Sequence, residues 1–205
     1  MIYLIRHGES TFDKEMRISC NEHNGNLTNM GQKQARLVGD WLALKGITHI
    51  YTSPFPYTQQ TADIIGKIIK VETQINADLA ELNCGELQGR DDPFSIGRWE
   101  EMFNRWKRAE WDATYPGGES YREAYTRFHR AIQQGEYGEN TVLLTHSSIS
   151  EAVVPYLCVN AAALQRVDPL SNTGIVVLEP YTPGSGRYAC NSWNLIEHLT
   201  NQSDR

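Results

Sequence analysis

The first eight residues constrain the fold most, because an apolar run leads directly into a charged, glycine-containing segment. Residues 1–4 are Met, Ile, Tyr and Leu, and a run of this kind is typical of a strand buried in a sheet. Arg6, His7 and Gly8 follow at its carboxyl end, where open α/β sheets bind their ligands. Arginine binds phosphate oxygens through its planar fork, and histidine can act as a nucleophile near neutral pH. The segment therefore indicates phosphoryl chemistry on histidine, with Gly8 leaving the backbone accessible to an anion.

The rest of the chain alternates between predicted strands and predicted helices. We expect further strands at residues 47–52, 71–73, 141–145, 174–178 and 188–193. We expect helices between Thr28 and Gly46 and at residues 57–69, 98–111, 119–134 and 150–157. This alternation predicts an α/β fold, a three-layer sandwich with a mostly parallel central sheet and helices on both faces. The last two strands are expected to form an antiparallel edge of one domain spanning residues 1–205.

Composition excludes several classes of function. The net charge of −6 and the pI near 5.5 argue against a general surface for nucleic acid or anionic membrane. No apolar run approaches the ~20 residues of a membrane span, and no secretory leader is recognisable, so we expect a cytoplasmic protein. The cysteines form no C-x-x-C pair, which favours reduced thiols over a zinc site or a disulfide framework. They are Cys20, Cys84, Cys158 and Cys190.

A second histidine strengthens the first indication. His146 directly follows residues 141–145, the clearest buried strand of the chain. A single histidine at a strand end is more often structural than functional. Two of them, at the carboxyl ends of separate strands and one beside Arg6, indicate a shared site.

Four segments, in order along the chain, resemble the motifs of the histidine phosphatase superfamily. They are Arg6-His7-Gly8-Glu9, Leu79-x-Glu81 with Gly85 and Gly89, Pro116-Gly117-Gly118-Glu119-Ser120, and Thr145-His146. That superfamily contains the cofactor-dependent phosphoglycerate mutases and many small phosphatases. The resemblance runs through nearly the whole chain and implies a phosphoglycerate mutase-like fold.

The resemblance also implies a role for each of four residues. His7 would attack phosphorus and carry the phosphoryl group, while its other ring nitrogen donates to a backbone carbonyl. Arg6 and His146, as cations, would bind the phosphoryl oxygens. Glu81 matches the proton donor of the family, and no metal or cofactor is required. The alternative for Glu81 is a structural carboxylate paired with a neighbouring arginine.

Three positions depart from the family pattern. Residues 53–62 align without gaps onto a family motif, and Tyr57 stands where a second phosphate-binding arginine is expected. Asp13 stands where an asparagine often helps to hold the phosphate, and Ser147 replaces a glycine. The first two changes lower the positive potential of the pocket. Arg17, in the loop after the nucleophile, could supply a substitute cation, or it could be a solvated loop charge.

The segment at about 83–118 would cover the site, because in this family the corresponding region often does so and selects the substrate. It carries Trp99, Phe103 and Trp106 at helical spacing. These rings could line a pocket for an apolar or aromatic leaving group. The alternative is that they form the packed side of a covering helix.

The resulting hypothesis is a metal-independent phosphomonoester hydrolase, a histidine phosphatase that could be impaired by the changes at Tyr57 and Asp13. Its expected ligands are a small phosphorylated substrate and inorganic phosphate, and not nucleic acid or membrane. Two alternatives remain open: a phosphoglycerate mutase, for which this acidic chain has few cations, and a weak or inactive relative that binds a phosphorylated ligand. Whether the chain forms a homodimer is also left open.

Overall fold

The computed structural model describes residues 1–20, 25–137, 140–160 and 169–200, which form a sheet flanked by helices. The strands are β1 (Ile2–Arg6), β2 (His49–Thr52), β3 (Thr73–Ile75), β4 (Thr141–Thr145), β5 (Ile175–Pro180) and β6 (Tyr188–Leu195). The helices are α1 (Thr11–Glu15), α2 (Asn29–Leu42), α3 (Pro56–Ile69), α4 (Pro93–Lys107), α5 (Tyr121–Gln134), α6 (Ser147–Leu157) and α7 (Glu197–Thr200). None of the helices in these ranges is long and apolar enough to cross a membrane.

The sheet has the order β3-β2-β4-β1-β5-β6. The strands β3, β2, β4 and β1 pair in parallel, whereas β5 pairs antiparallel with both β1 and β6. The prediction of a mostly parallel sheet with an antiparallel edge is therefore confirmed. Because β1, β4 and β2 run in the same direction, their carboxyl ends lie along one edge of the sheet.

Alternate side chains of β1 enter different cores, which explains why the run is apolar at every position. Ile2 and Leu4 belong to the core that contains buried residues of α5 and α6. Tyr3 and Ile5 belong to the core that contains buried residues of α2 and α3. Successive side chains of a strand point to opposite faces, so a central strand of a three-layer fold must be apolar on both.

Several element boundaries differ from the predicted ones. The short helix α1 was not predicted; Ser10 caps it, and a capping box joins Ser10 to Asp13. Helix α4 begins at Pro93 instead of residue 98, because Asp92 serves as its N-cap while proline is tolerated in the first turn. Helix α6 begins at Ser147 instead of residue 150, and β3 covers Thr73–Ile75 instead of residues 71–73.

The expectation that all four cysteines are reduced thiols is wrong for two of them. Cys20 and Cys84 form a disulfide across 64 positions of sequence, with their Cα atoms 5.7 Å apart. Folding brings together the loop after α1 and the loop after Glu81, and no local spacing rule can reveal such a pair. Cys158 and Cys190 are buried free thiols.

The turn after β1 packs tightly against the first turn of α2. A Cβ added at Gly8 would lie 2.6 Å from the carbonyl oxygen of Gly31, and one added at Gly31 would lie 2.1 Å from that of Glu9. Both contacts are with backbone, which cannot rotate away. Close packing is thus a structural reason for Gly8, beyond the predicted access for an anion.

We expect Gly31→Ala to destabilise the protein by about 1–3 kcal/mol, because the new methyl group forces two backbone segments apart. The matched control is Gly97→Ala, on α4, where an added Cβ meets nothing within 4 Å. In a helix interior that change favours folding by about 0.5–1 kcal/mol. Urea unfolding of both variants checks the prediction, and an equal effect of the two would contradict it.

Candidate active site

The parallel strands bring three reactive positions to one edge of the sheet. The backbone N–H of His7 donates to the carbonyl of Thr145 at 3.0 Å, and that of Ser53 donates to Leu144 at 2.9 Å. His7, His146 and Ser53 therefore follow the ends of β1, β4 and β2 at the same level. The ring centroids of His7 and His146 lie 5.1 Å apart.

His7 is a neutral imidazole, and one of its two ring nitrogens is held by a hydrogen bond to the backbone. Its Nδ1 lies 2.8 Å from the carbonyl oxygen of Gly8, which can only accept, so Nδ1 carries the proton and Nε2 holds the free lone pair. The residue as a whole is 5% exposed. Burial lowers the pKa of His7 to about 4, although Asp13 acts in the opposite direction. The imidazole of His7 is thus neutral at neutral pH, and its unprotonated Nε2 can act as a nucleophile.

The positive charge of Arg6 is paired with a carboxylate within the site. Its Nη1 donates to the carbonyl of Leu170 at 2.7 Å, and its Nη2 donates to Asp13. Asp13 also accepts from the backbone and the hydroxyl of Ser10, at 2.8 and 2.5 Å. Burial favours a higher pKa for Asp13, but His7, Arg6 and the hydrogen bonds from Ser10 outweigh it and hold that pKa below its usual range. Asp13 is therefore an ionised counterion of Arg6.

Tyr57 lies in the site as a buried, neutral aromatic residue. Its ring centroid is 4.5 Å from that of His7 and 5.7 Å from that of His146. The hydroxyl lies 3.3 Å from the hydroxyl oxygen of Ser19. Burial raises the pKa of Tyr57, so the phenol offers a hydrogen bond and no charge.

Glu81 is held by the amino-terminal turn of α6. Its carboxylate accepts backbone N–H groups of Leu82, Ser148 and Ile149 at 2.8, 3.1 and 2.7 Å. Burial raises the pKa of Glu81 to about 7, although these three hydrogen bonds lower it. A carboxyl with such a pKa can donate a proton near neutral pH.

The alternative of an arginine pair for Glu81 is wrong. The neighbouring Arg127 donates to the backbone oxygen of Glu81 at 3.0 Å, while its ion pair, at 2.6 Å, is with Glu119. The carboxylate of Glu81 remains directed to the helix terminus and to the cleft.

His146 contacts a residue to which the sequence assigned no role. Its Nε2 lies 2.7 Å from the hydroxyl oxygen of Ser53, which is fully buried. The rule that pointed to both histidines, a polar residue directly after a strand, applies equally to Ser53. Burial lowers the pKa of His146 well below its ordinary value. The expectation that His146 is a cation is therefore wrong in this structure, where it is a neutral hydrogen-bonding group.

A cleft of about 270 Å³ lies beside His7. Its lining includes Arg6, Asp13, Tyr57, Glu81 and His146, together with Arg17, Ser147 and Trp99. Arg17 is a rim residue whose side chain is 42% exposed and lies 3.4 Å from Glu15. The three aromatic residues that were predicted on helix α4 differ in their surroundings. Trp99 lines the cleft, whereas Trp106 is buried in the core and its indole N–H donates to the carbonyl of Ala113 at 3.0 Å. Phe103 packs against both rings.

Comparison with known proteins matches the chain to one family. The family model of the histidine phosphatase superfamily (branch 1) matches residues 2–195. A relative from Salmonella paratyphi B, named probable phosphoglycerate mutase GpmB, is 33% identical over 152 residues, which cover 71% of this chain and 68% of its own. The resemblance drawn from the motifs is thereby confirmed.

Solved structures of low sequence identity share the fold. A protein described as mycobacterial hydrolase 1 has a TM-score of 0.78 at 20% identity, covering 95% of this chain and 98% of its own. A mycobacterial glucosyl-3-phosphoglycerate phosphatase in complex with VO3 gives 0.75 at 20% identity, with the same shares covered. The alpha-ribazole phosphatase from Shigella flexneri gives 0.74 at 18% identity, covering 95% and 96%.

The raised pKa of Glu81 predicts a pH-dependent cost to stability. Its folded-state pKa of about 7 lies above the ordinary 4.5, so the folded protein binds this proton more tightly than the unfolded chain does. Raising the pH through this interval must therefore destabilise the fold. We expect the free energy of unfolding of Glu81→Gln, relative to the wild type, to increase between about pH 5 and pH 8.

Urea unfolding at the two pH values measures this difference. The control is Glu86→Gln, which removes an exposed carboxylate that pairs with Arg98 at 2.5 Å. A relative stability of Glu81→Gln that falls as the pH rises would refute the assignment of a raised pKa.

Proposed function

We propose that this chain, which belongs to the histidine phosphatase superfamily, is a metal-independent phosphomonoester hydrolase acting through a phosphohistidine on His7. The observation that carries the proposal is the state of His7: buried, neutral, with Nδ1 held by the carbonyl of Gly8 and Nε2 free. The cleft beside it contains a protonatable carboxyl, Glu81, and the second histidine, His146. The substrate would be a small phosphorylated molecule.

The proposed reaction has two displacements at phosphorus. In the first, Nε2 of His7 attacks, the P–O bond to the ester oxygen breaks, and protonated Glu81 gives its proton to the leaving oxygen. In the second, the Glu81 carboxylate takes a proton from water, the resulting hydroxide attacks phosphorus, and the P–N bond breaks. His7 returns to its neutral form, and the products are an alcohol and inorganic phosphate.

Hydrogen-bond donors around the cleft would hold the phosphoryl oxygens. Arg6, the imidazole of His146 and the hydroxyl of Tyr57 are within this cleft, and preorganised donors in a buried site stabilise charge that develops there. The contact between the hydroxyl of Ser53 and Nε2 of His146 would hold the orientation of that ring. The neutral form of His146 can still donate one hydrogen bond.

A phosphoglycerate mutase is the second candidate, favoured by the name of the relative from Salmonella paratyphi B. Such an enzyme must bind a carboxylate and a second phosphate, which calls for several cations. Among the described residues that line the cleft, the arginines are Arg6 and Arg17, and both contact a carboxylate. We therefore expect no measurable interconversion of 2- and 3-phosphoglycerate.

We expect His7→Ala to abolish phosphate release from phosphate monoesters, because the variant lacks the atom that accepts the phosphoryl group. The measurement is release of phosphate from a panel of monoesters without added metal. His49→Ala is the control, since His49 begins β2 at the opposite end of the strand from Ser53. Release that persists in His7→Ala would rule out the phosphohistidine route, and no release by the wild type from any ester would support a relative that only binds phosphorylated ligands.

We expect Glu81→Gln to affect esters according to their leaving groups. An alkyl phosphate should lose about 10²–10⁴ in kcat, because its alkoxide needs a proton on departure. A 4-nitrophenyl phosphate should lose much less, since nitrophenolate leaves without one. Steady-state kinetics on both esters, with Glu86→Gln as the matched control, checks the assignment; equal losses would rule out Glu81 as the proton donor.

A further inference from the structure

The main positive charge of the cleft, that of Arg6, is already paired with a carboxylate. This pairing limits the negative charge that the cleft can accept from a ligand. Asp13 pairs with Nη2 of Arg6, while Nη1 of Arg6 is taken by a backbone carbonyl. The third nitrogen, Nε of Arg6, is buried and has no hydrogen-bond partner among the described residues. Arg6 thus keeps N–H donors for a ligand, but together with Asp13 it forms a pair without net charge.

Asp13 is fixed in place by the helix that it helps to begin. Its Oδ2 accepts from both the backbone and the hydroxyl of Ser10, and the hydroxyl of Ser10 in turn accepts from the backbone of Asp13. This is the capping box of α1. A rotation of Asp13 away from Arg6 would break the cap, so the carboxylate is a permanent part of the site.

Among the described residues, the other groups around His7 supply no compensating cation. Tyr57 is a neutral phenol, and the basic residues near the site are already paired: Arg17 with Glu15, and Arg127 with Glu119. Burial lowers the pKa of both His7 and His146, so neither ring carries a charge at neutral pH. Two further carboxyl groups interact electrostatically with residues of the site, Glu81 with Tyr57 and Glu151 with Arg6, and neither supplies a positive charge.

We propose that this cleft accepts its phosphoryl group as a monoanion, so that the substrate is a singly charged ester of an apolar alcohol. This inference rests on the proposed function and names its substrate class. A dianion beside Asp13 would place three negative charges around one arginine. The repulsion between the carboxylate and the doubly charged phosphoryl group would weaken the binding of the dianion. A monoanion leaves the site with the single negative charge that the remaining donors can bind.

The apolar residues that line the cleft indicate which class of alcohol the ester carries. Ile18, Ile96 and Trp99 line it, and Met16, which is 81% exposed, lies at its rim. Trp99 and Ile96 belong to α4, whereas Met16 is the C-cap residue of α1. An apolar or aromatic alcohol would be desolvated between these two elements.

Two sources supply a singly charged phosphoryl ester. A monoester becomes a monoanion below its second ionisation, at about pH 6. A phosphodiester or a phosphonate monoester is a monoanion throughout the neutral range. The two differ in pH dependence: binding of a monoester should strengthen as the pH falls through this ionisation, whereas binding of a phosphonate ester should not.

The test measures binding by calorimetry to His7→Ala, which cannot form the phosphohistidine. The ligands are phenyl phosphate and phenyl methylphosphonate, which share the phenyl group and differ in charge. At about pH 7.5 we expect the phosphonate to bind at least as tightly as the phosphate. Adding Asp13→Asn should tighten phenyl phosphate relative to the phosphonate by about tenfold or more, because it removes one partly buried negative charge.

The remaining outcomes overturn the proposal. They are tighter binding of phenyl phosphate than of the phosphonate in His7→Ala, a smaller relative change on adding Asp13→Asn, or no binding of either ligand. As a second measurement that does not depend on the Asp13 variant, phenyl phosphate should gain affinity between about pH 7.5 and pH 5.5 relative to the phosphonate. Thermal unfolding confirms that the variants are folded.

A matched control and a separate assay isolate the charge effect. Asp63→Asn makes the same substitution on α3, where Asp63 is exposed and bonds Thr73 at 3.4 Å, and it should leave the ratio of the two affinities unchanged. Turnover of phenyl phosphate by the wild type tests the proposed function independently. Turnover that depends on His7 combined with preferential binding of the dianion would retain the hydrolase and reject the charge selection.

Discussion

The parallel pairing of β1 with β4, and of β4 with β2, determines where His7, His146 and Ser53 lie. Arg6 pairs with Thr145 and Thr52 with Leu144, so the residues that follow these strands emerge side by side. A shift of one residue in either pairing would move each side chain of the shifted strand into the opposite core, where the neighbours are packed around a side chain of different shape. The burial of the cores therefore holds the register, and the register holds His7 beside His146.

Burial of the site then selects the protonation state of its groups. The same loss of solvent lowers the pKa of His7 to about 4 and raises that of Glu81 to about 7. Between these values the imidazole is a free base while the carboxyl is still largely protonated. A nucleophile and an acid thus coexist at one pH without exchanging a proton, which is the arrangement that a two-step displacement requires.

The parts of the fold that follow local rules were predictable from the sequence. Residues 141–145 are an isolated apolar run, and Thr28 precedes a clear helical period, so β4 and the start of α2 agree with prediction. The disulfide between Cys20 and Cys84 and the contact of Ser53 with His146 depend on distant segments meeting. The charge of His146 was misjudged for the same reason, because burial is a property of the assembled fold.

Asp13 shows why a motif alone does not describe a binding site. In local terms it is a good residue for the first turn of α1, since a carboxylate there completes a capping box and favours the positive end of the helix. Because α1 follows β1 so closely, the same carboxylate faces Arg6 and becomes its counterion. Whether an arginine after a strand can bind a doubly charged phosphate therefore depends on the cap of the next helix. In this cleft one carboxylate makes both interactions: its Oδ2 completes the cap of α1, and its Oδ1 pairs with Arg6 and weakens the positive potential around His7.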